Sequence, residues 1–396
     1  MIARLRNYSG LPEARREWSK LSLPQVAETP QDLYDLIFFF VESRDEKEVE
    51  GMAFAAEELG GDAYRCPGTV PRAMLVFEHG VLQGNSCRVG PDDRLQAIWR
   101  ALSNYLSPEP PSWKLARREL RLDSTLVMGV LNVTPDSFSD GGLYQDKDQA
   151  IRRAVQMVEE GADIIDVGGE STRPYSKEVT VDEELSRVIP VIEGLTSQLK
   201  IPVSIDTRHH EVAKAALEAG AEIVNDVSGL RGEEMVAVAS RYRPGVVIMH
   251  MLGEPGTMQD RPAYEDVVGD LSLFLEERMN QAKQGGVDLG SMLLDPGIGF
   301  GKSLEHNLQI VVRLREFRCL GRGLLIGASR KAFIGKVLGQ EIAERKEGSL
   351  AVASIAMMNG ANVVRVHDVK ETKMVARMVD AVHRAQVASY EHEEQA

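Results

Sequence analysis

Eight short apolar, β-branched runs recur along the chain, at 126–131 (LVMGVL), 163–167 (DIIDV), 202–205 (PVSI), 222–226 (EIVND), 246–250 (VVIMH), 292–295 (MLLD), 324–328 (LLIGA) and 362–366 (NVVRV). Between successive runs, good helix formers return apolar residues with a period near 3.6, as in QAIRRAVQMVEEG, EVAKAALEAG and SLAVASIAMMNG. Strands separated by helices pair in parallel through right-handed crossovers, and eight such units in series predict an α/β fold of the closed (β/α)8 TIM-barrel type. An open doubly wound sheet usually carries fewer strands, and no GxGxxG opens the first helix here.

The chain has 396 residues, enough for such a barrel and a smaller domain, and 43% apolar with 27% charged residues is ordinary for a soluble globular protein. A net charge of −14 argues against nucleic acid or an anionic membrane as the main partner. Cys66, Cys87 and Cys319 lack metal-ligand spacing and cannot all pair, which fits the reducing cytoplasm. The opening MIARLRNYSGLPEARREWSK lacks the apolar core of a signal peptide, and LIFFFV at 36–41 is too short to span a bilayer and reads as a buried strand. Three prolines in SPEPPS (107–112) break helix and strand alike and set a domain boundary. Residues 1–111 are then a small mixed α/β domain, with a helix over 45–59 and a strand over 72–80, and residues 112–396 form the barrel. Nothing before the boundary gathers nucleophile, base or metal ligands, so a packing or oligomerisation role is expected there.

The stretch LLDPGIGFGKS (293–303) ends like a nucleotide-binding P-loop. That motif needs a glycine five residues before the one preceding the lysine, so that backbone N–H groups curl around phosphate. Pro296 stands there, without an N–H, and the spacing excludes the motif. A barrel of this type carries its functional groups at the C-terminal ends of its strands. Those ends deliver Asn132, then Glu170, Thr172 and Arg173, then Asp206, Asn225 with Asp226, His250, Asp295, Ser329 with Arg330 and Lys331, and finally Arg365 and His367. Each alone reads as a surface or capping group; Asp206-Thr207 could simply cap the next helix. Together they suit two ligand chemistries. Asp206, Asp295 and Asn225 are acceptors matched to a ring edge bearing N–H and NH2 donors, with Lys331 donating to ring nitrogen or carbonyl oxygen. Arg365, His367 and Asn132 suit an anion such as diphosphate, which usually arrives with Mg2+.

The motifs MGVLNVTPDSFSDGG, GADIIDVGGESTRP, PVSIDT, EIVNDVSG, HMLGEPGTMQ, LLDPGIGFGKSLEHN, GASRKAFIG and RVHDV, in this order, make the chain resemble the dihydropteroate synthase family over about 126–390. The resemblance implies transfer of a pterin from its hydroxymethyl diphosphate to 4-aminobenzoate, with Mg2+, as a cytoplasmic and homodimeric enzyme. It implies that Asp295 reads the amino-pyrimidine edge, that Asn225, Asp206 and Lys331 complete the ring site, and that Met249 and Phe300 line it. Arg365, His367 and Asn132 would hold diphosphate, with Asn132 also the Mg2+ contact. Thr172, Arg173 and Pro174 would belong to a loop that closes with TPDSFSDGG over 4-aminobenzoate, Gly141-Gly142 giving that first loop its freedom.

Two positions depart from the compact bacterial pattern. Ala332 replaces a serine that in several members touches the 4-aminobenzoate carboxylate, leaving that contact to the Lys331-Ala332 backbone at a helix N-terminus. The long N-terminal extension is the other. Methyltetrahydrofolate-dependent methyltransferases share a pterin-binding barrel but have no evident use for the RVH and SRK elements, and an inactive pterin-binding module predicts damaged anion residues where these stand intact.

Overall fold

The computed structural model describes residues 2–6, 14–15, 19, 36–58, 61–78, 93–106, 112–133, 143–170, 179–253 and 262–393. The expected first loop (134–142), Thr172, Arg173, Pro174, Cys87 and all of SPEPPS but Ser112 lie outside them. The chain forms two compact units.

One unit comprises the described residues of 1–108 together with Glu265–Glu276 and Arg315–Gly321. Strands β1 (Ile2–Arg6), β2 (Leu36–Glu42), β3 (Asp62–Cys66) and β4 (Arg72–Glu78) form an antiparallel sheet in the order β1-β2-β4-β3, with helices α1 (Glu46–Glu58) and α2 (Asp93–Leu106). The run LIFFFV is strand β2, as its apolar, aromatic composition predicts. Its alternate residues Phe39 and Val41 join Leu5, Val49, Met52, Leu75, Phe77 and Ile98 in one core, while Phe38 and Phe40 face the opposite side with Met74 and Val76. Arg4 is fully buried, a position few arginines occupy without partners, and it pairs with Glu42 and Asp266 at 2.8 Å each and with Glu316.

The other unit holds a short hairpin, β5 (Ser112–Lys114) and β6 (Glu119–Arg121), and eight parallel strands: β7 (Leu126–Asn132), β8 (Ile164–Gly168), β9 (Val203–Asp206), β10 (Ile223–Asp226), β11 (Gly245–Met249), β12 (Met292–Asp295), β13 (Gly323–Ile326) and β14 (Val363–Val366). They pair in chain order, and β14 pairs back with β7, so the barrel is closed. The strands agree with the eight sequence runs to within two residues at either end. They are buried on both faces, which is why they read as apolar runs rather than as alternating ones. Helices α3 (Leu143–Glu159), α4 (Val181–Gln198), α5 (His210–Glu218), α6 (Glu233–Tyr242), α7 (Val267–Gln284), α8 (Leu304–Val312), α9 (Ala332–Leu338), α10 (Lys346–Met358) and α11 (Val369–Glu393) fill the connections.

The hairpin closes the barrel floor. Trp113 is fully buried, donates its indole N–H to the Ser291 carbonyl at 2.7 Å, and packs with Leu115 and Leu122 against Met128, Ile164, Ile223, Leu293, Leu325 and Val363. With Val247 of β11 in the same cluster, seven strands bury side chains on one plug. Trp113→Ala is expected to lower the unfolding free energy by about 3–5 kcal/mol, the usual loss for a core aromatic, as read from the urea midpoint at unchanged slope.

Candidate active site

Strand order and parallel register bring the C-terminal ends to one level: Asn132 stands opposite Gly168, Gly168 opposite Asp206, Asp206 opposite Asn225, and Met249 opposite Asp295. On β12, Pro296 follows the strand and Gly297 turns the chain at φ 69°, where a Cβ would lie 1.9 Å from the His250 carbonyl oxygen. Only glycine passes so close. The Gly297 N–H donates to Asp295 Oδ1 at 2.7 Å, which fixes the carboxylate at the strand end. The lysine of GFGKS serves this same turn. Lys302 is buried, donates to the Phe300 carbonyl at 2.9 Å, and meets His250 Nδ1 at 3.0 Å. Burial holds Lys302 and His250 well below their usual values, with Lys302 and Arg231 adding to the effect on His250. Ser303 caps α8 by accepting from the His306 N–H.

From β13, Lys331 reaches back across the mouth. Its ammonium donates to the Ile298 carbonyl and lies 4.3 Å from the centroid of the Phe300 ring, a cation–π contact. Phe300, half-buried, packs with Met249, Val227 and Met251 to form an apolar wall. Burial pushes Lys331 down to about 7, with Arg365 adding to the effect and Asp295 and Asp206 opposing it. Burial likewise raises Asp295, with Lys331 and the Gly297 amide opposing.

Arg365, on β14, lies between two carboxylates: Nε donates to Asp166 Oδ2 at 2.6 Å and Nη2 to Asp206 Oδ2 at 2.5 Å. Burial alone would lower its pKa, but Asp166 and Asp206 more than offset that and hold it raised. Burial pushes Asp206 up to about 7, with Arg365 opposing and Asp166 adding. Asn225 donates to the same Asp166 oxygen at 3.1 Å. Asn132 Oδ1 and Asp206 Oδ2 both lie just beyond the bare Gly168 backbone, 3.6 and 3.8 Å from where a Cβ would stand. His367 completes the edge, with Nδ1 3.0 Å from Ser329 Oγ, and Ala332 is exposed at the first residue of α9.

Four other rim residues are committed elsewhere. Asp226 closes its own loop by accepting from the Ser228 and Leu230 amides at 2.7 and 2.8 Å. Arg330, at φ 56°, turns to a two-pronged pair with Asp368. Glu170 holds Arg208 at 3.1 and 3.2 Å, and His250 holds Lys302. Asp206 is a partner of Arg365 rather than a helix cap; Thr207 supplies the local turn by accepting from the His209 amide. Sequence reasoning missed Asp166 and Lys302. Asp166 was hidden inside DIIDV, where a polar residue in a buried strand was the only signal.

Among the described residues one acidic and histidine group has metal-ligand proximity: Glu170, Glu184 and His209, whose ligand atoms lie within 4.8 Å of one another. Its members are already tied by hydrogen bonds, His209 Nδ1 to Glu184 at 2.7 Å and Glu170 to Arg208.

The chemistry of the rim and the folded barrel agree with what the chain is similar to. The pterin binding enzyme family matches residues 128–367. Dihydropteroate synthase of Escherichia coli strain K12 is 46% identical over 262 residues, 66% of this chain and 93% of that protein. The Xanthomonas albilineans dihydropteroate synthase structure with 4-aminobenzoic acid superposes with a TM-score of 0.66 at 44% identity, covering 69% of this chain and 98% of that one. A second structure of that enzyme, in complex with 7,8-dihydropteroate, gives 0.63 at 42% identity over 69% and 99%. The chain belongs to the pterin-binding enzymes, in the dihydropteroate synthase family.

Proposed function

We propose that the chain is a transferase of folate biosynthesis that joins 6-hydroxymethyl-7,8-dihydropterin diphosphate to 4-aminobenzoate, giving 7,8-dihydropteroate and diphosphate, and that residues 112–396 carry the activity. What supports this most is the meeting, at one barrel mouth, of the buried acceptors Asp206, Asn225 and Asp295 with Lys331 and Arg365. Asp295 and Asn225 accept from the pyrimidine edge, Lys331 donates to the ring, and Met249 and Phe300 flank its faces. Arg365, His367 and Asn132 receive the diphosphate. The C–O bond to diphosphate breaks with its electron pair, the positive charge spreads into the pterin ring, and the amine nitrogen closes the C–N bond and gives its proton to the departing anion. No nucleophilic side chain is needed: Arg365 neutralises leaving charge and Asp206 stabilises the cation. Contacts to the acceptor are assigned to Thr172, Arg173 and Pro174, and its carboxylate to the Lys331-Ala332 backbone at the start of α9.

Mg2+ would be held by the Asn132 amide oxygen, a neutral oxygen beside Asp206, and when bound supplies charge neutralisation at the diphosphate. Purified protein with both substrates and Mg2+ is expected to release diphosphate only when 4-aminobenzoate is present; no release under these conditions would sink the assignment.

The protein is proposed to work in the cytoplasm as a homodimer. No helix among the described residues is long and apolar enough to cross a membrane. Helix α10 packs on both α8 and α11, and these helices expose the apolar side chains Val312 (64%), Ile355 (48%), Met374 (58%) and Met378 (66%), which a second copy would cover. Met378→Glu with Val312→Glu is expected to halve the mass measured by sedimentation equilibrium; an unchanged mass places the interface elsewhere.

A further inference from the structure

Asp166 has no part in the chemistry above, yet it sits at its centre. It stands in the middle of β8, opposite Val130 and Ser204, with no exposed surface. One of its oxygens, Oδ2, receives both Arg365 Nε at 2.6 Å and Asn225 Nδ2 at 3.1 Å. The other, Oδ1, is buried without a hydrogen-bond partner among the described residues. The unmet oxygen offsets part of what the pair with Arg365 contributes to the fold. Beyond that pairing, Asp166 fixes two groups from different strands on one atom: the guanidinium of β14 and the amide of β10.

We propose that Asp166 is the positioning residue of this site, aligning Arg365 for the leaving diphosphate and Asn225 for the pterin edge. This rests on the function proposed above. The Arg365 guanidinium is planar, so a bond from Nε to Asp166 and one from Nη2 to Asp206 fix its plane as well as its place. Asp206 alone, through Nη2, leaves rotation about that bond. The Asn225 amide is oriented likewise: with Nδ2 donating to Asp166, its carbonyl oxygen is the end left for a donor on the ring. Asp166 touches neither ligand and acts through its two partners.

The test is kinetic and uses the full chain. Asp166→Asn keeps the size of the side chain and removes its charge. Its kcat/KM for the pterin diphosphate is expected to fall about 10²-fold, the usual scale for losing one aligned electrostatic group, with KM for 4-aminobenzoate within about twofold of wild type. The melting temperature is expected to fall, since buried Arg365 then keeps Asp206 as its remaining close counter-charge. In an Arg365→Lys background, itself impaired, the same substitution should cost under about threefold, because the group it aligns is gone. A kcat/KM within about threefold of wild type overturns the proposal, as does a full, additive loss in the Arg365→Lys background. A fall in melting temperature with unchanged constants for the folded fraction would make Asp166 merely structural. Wild-type protein assayed alongside separates these outcomes from failure of the assigned function, since that failure removes diphosphate release before any substitution is made.

Discussion

Asp295→Asn is expected to lower kcat/KM for the pterin diphosphate by about 10³-fold, close to 4 kcal/mol of transition-state stabilisation, while leaving the protein folded. The size follows from what the amide brings. A carboxylate presents only acceptors to the N–H and NH2 groups of the pyrimidine edge, whereas an amide places its own NH2 against one of them, and a donor facing a donor in a buried site loses the bond and strands both groups. Folding survives because the amide carbonyl can still accept from the Gly297 N–H, which is the turn's own requirement. The substitution also removes a buried charge whose pKa burial already raises, so thermal stability should not fall. Isothermal titration with the pterin alone should show the binding loss directly. A variant that binds the pterin normally would show that Asp295 serves the turn and not the ligand.

Lys331→Ala is expected to cost about 10²-fold to 10³-fold in kcat/KM, by removing the ring donor and the cation that balances Asp295 and Asp206. It also frees the Ile298 carbonyl, loosening the 298–300 stretch that presents Phe300, for a stability loss of about 1 kcal/mol. The same lysine sets a pH signature. The active form needs Lys331 protonated and Asp206 ionised, and burial brings both to about 7, one from above and one from below. As pH falls below about 7, Asp206 takes a proton and stops stabilising the cation; as pH rises above it, Lys331 loses its proton and its donor charge. The plot of kcat/KM for the pterin substrate against pH should therefore be a narrow bell centred near neutrality, its limbs belonging to the coupled pair rather than to either group alone. A flat profile from about pH 6 to pH 8.5 would contradict these roles.

The barrel was legible because its strands are buried on both faces and so stand out as apolar runs, and because strand ends in such a barrel share one mouth. The polar residues at those ends could be named in advance, and Asn132, Asp206, Asn225, Asp295, Lys331, Arg365 and His367 do lie around that mouth. What the sequence could not convey was which of them face each other. Asp226 and Asn225 are neighbours on one strand, yet alternation sends Asn225 to Asp166 and Asp226 into its own loop. Arg330 and Lys331 are adjacent too, and the left-handed backbone at Arg330 turns one to Asp368 and leaves the other over Phe300. Lys302 and Asp166 escaped notice for a common reason. Each is a buried ionisable group defined by contacts with groups far off in sequence, His250 for one and Arg365 for the other, and no local spacing announces such a pair. The same holds for Arg4, whose partner Glu316 lies 312 positions away.

The central claim is that one mouth holds a pterin at the Asp295 side and its departing diphosphate at the Arg365 side. A crystal structure of this protein with the dihydropterin diphosphate and Mg2+ tests it most directly. The account predicts the pyrimidine edge within hydrogen-bond reach of Asp295 and Asn225, the ring against Phe300 and Met249, and the diphosphate against Arg365, His367 and Asn132. A ring bound away from Asp295, or turned so that the diphosphate points away from Arg365, would contradict it.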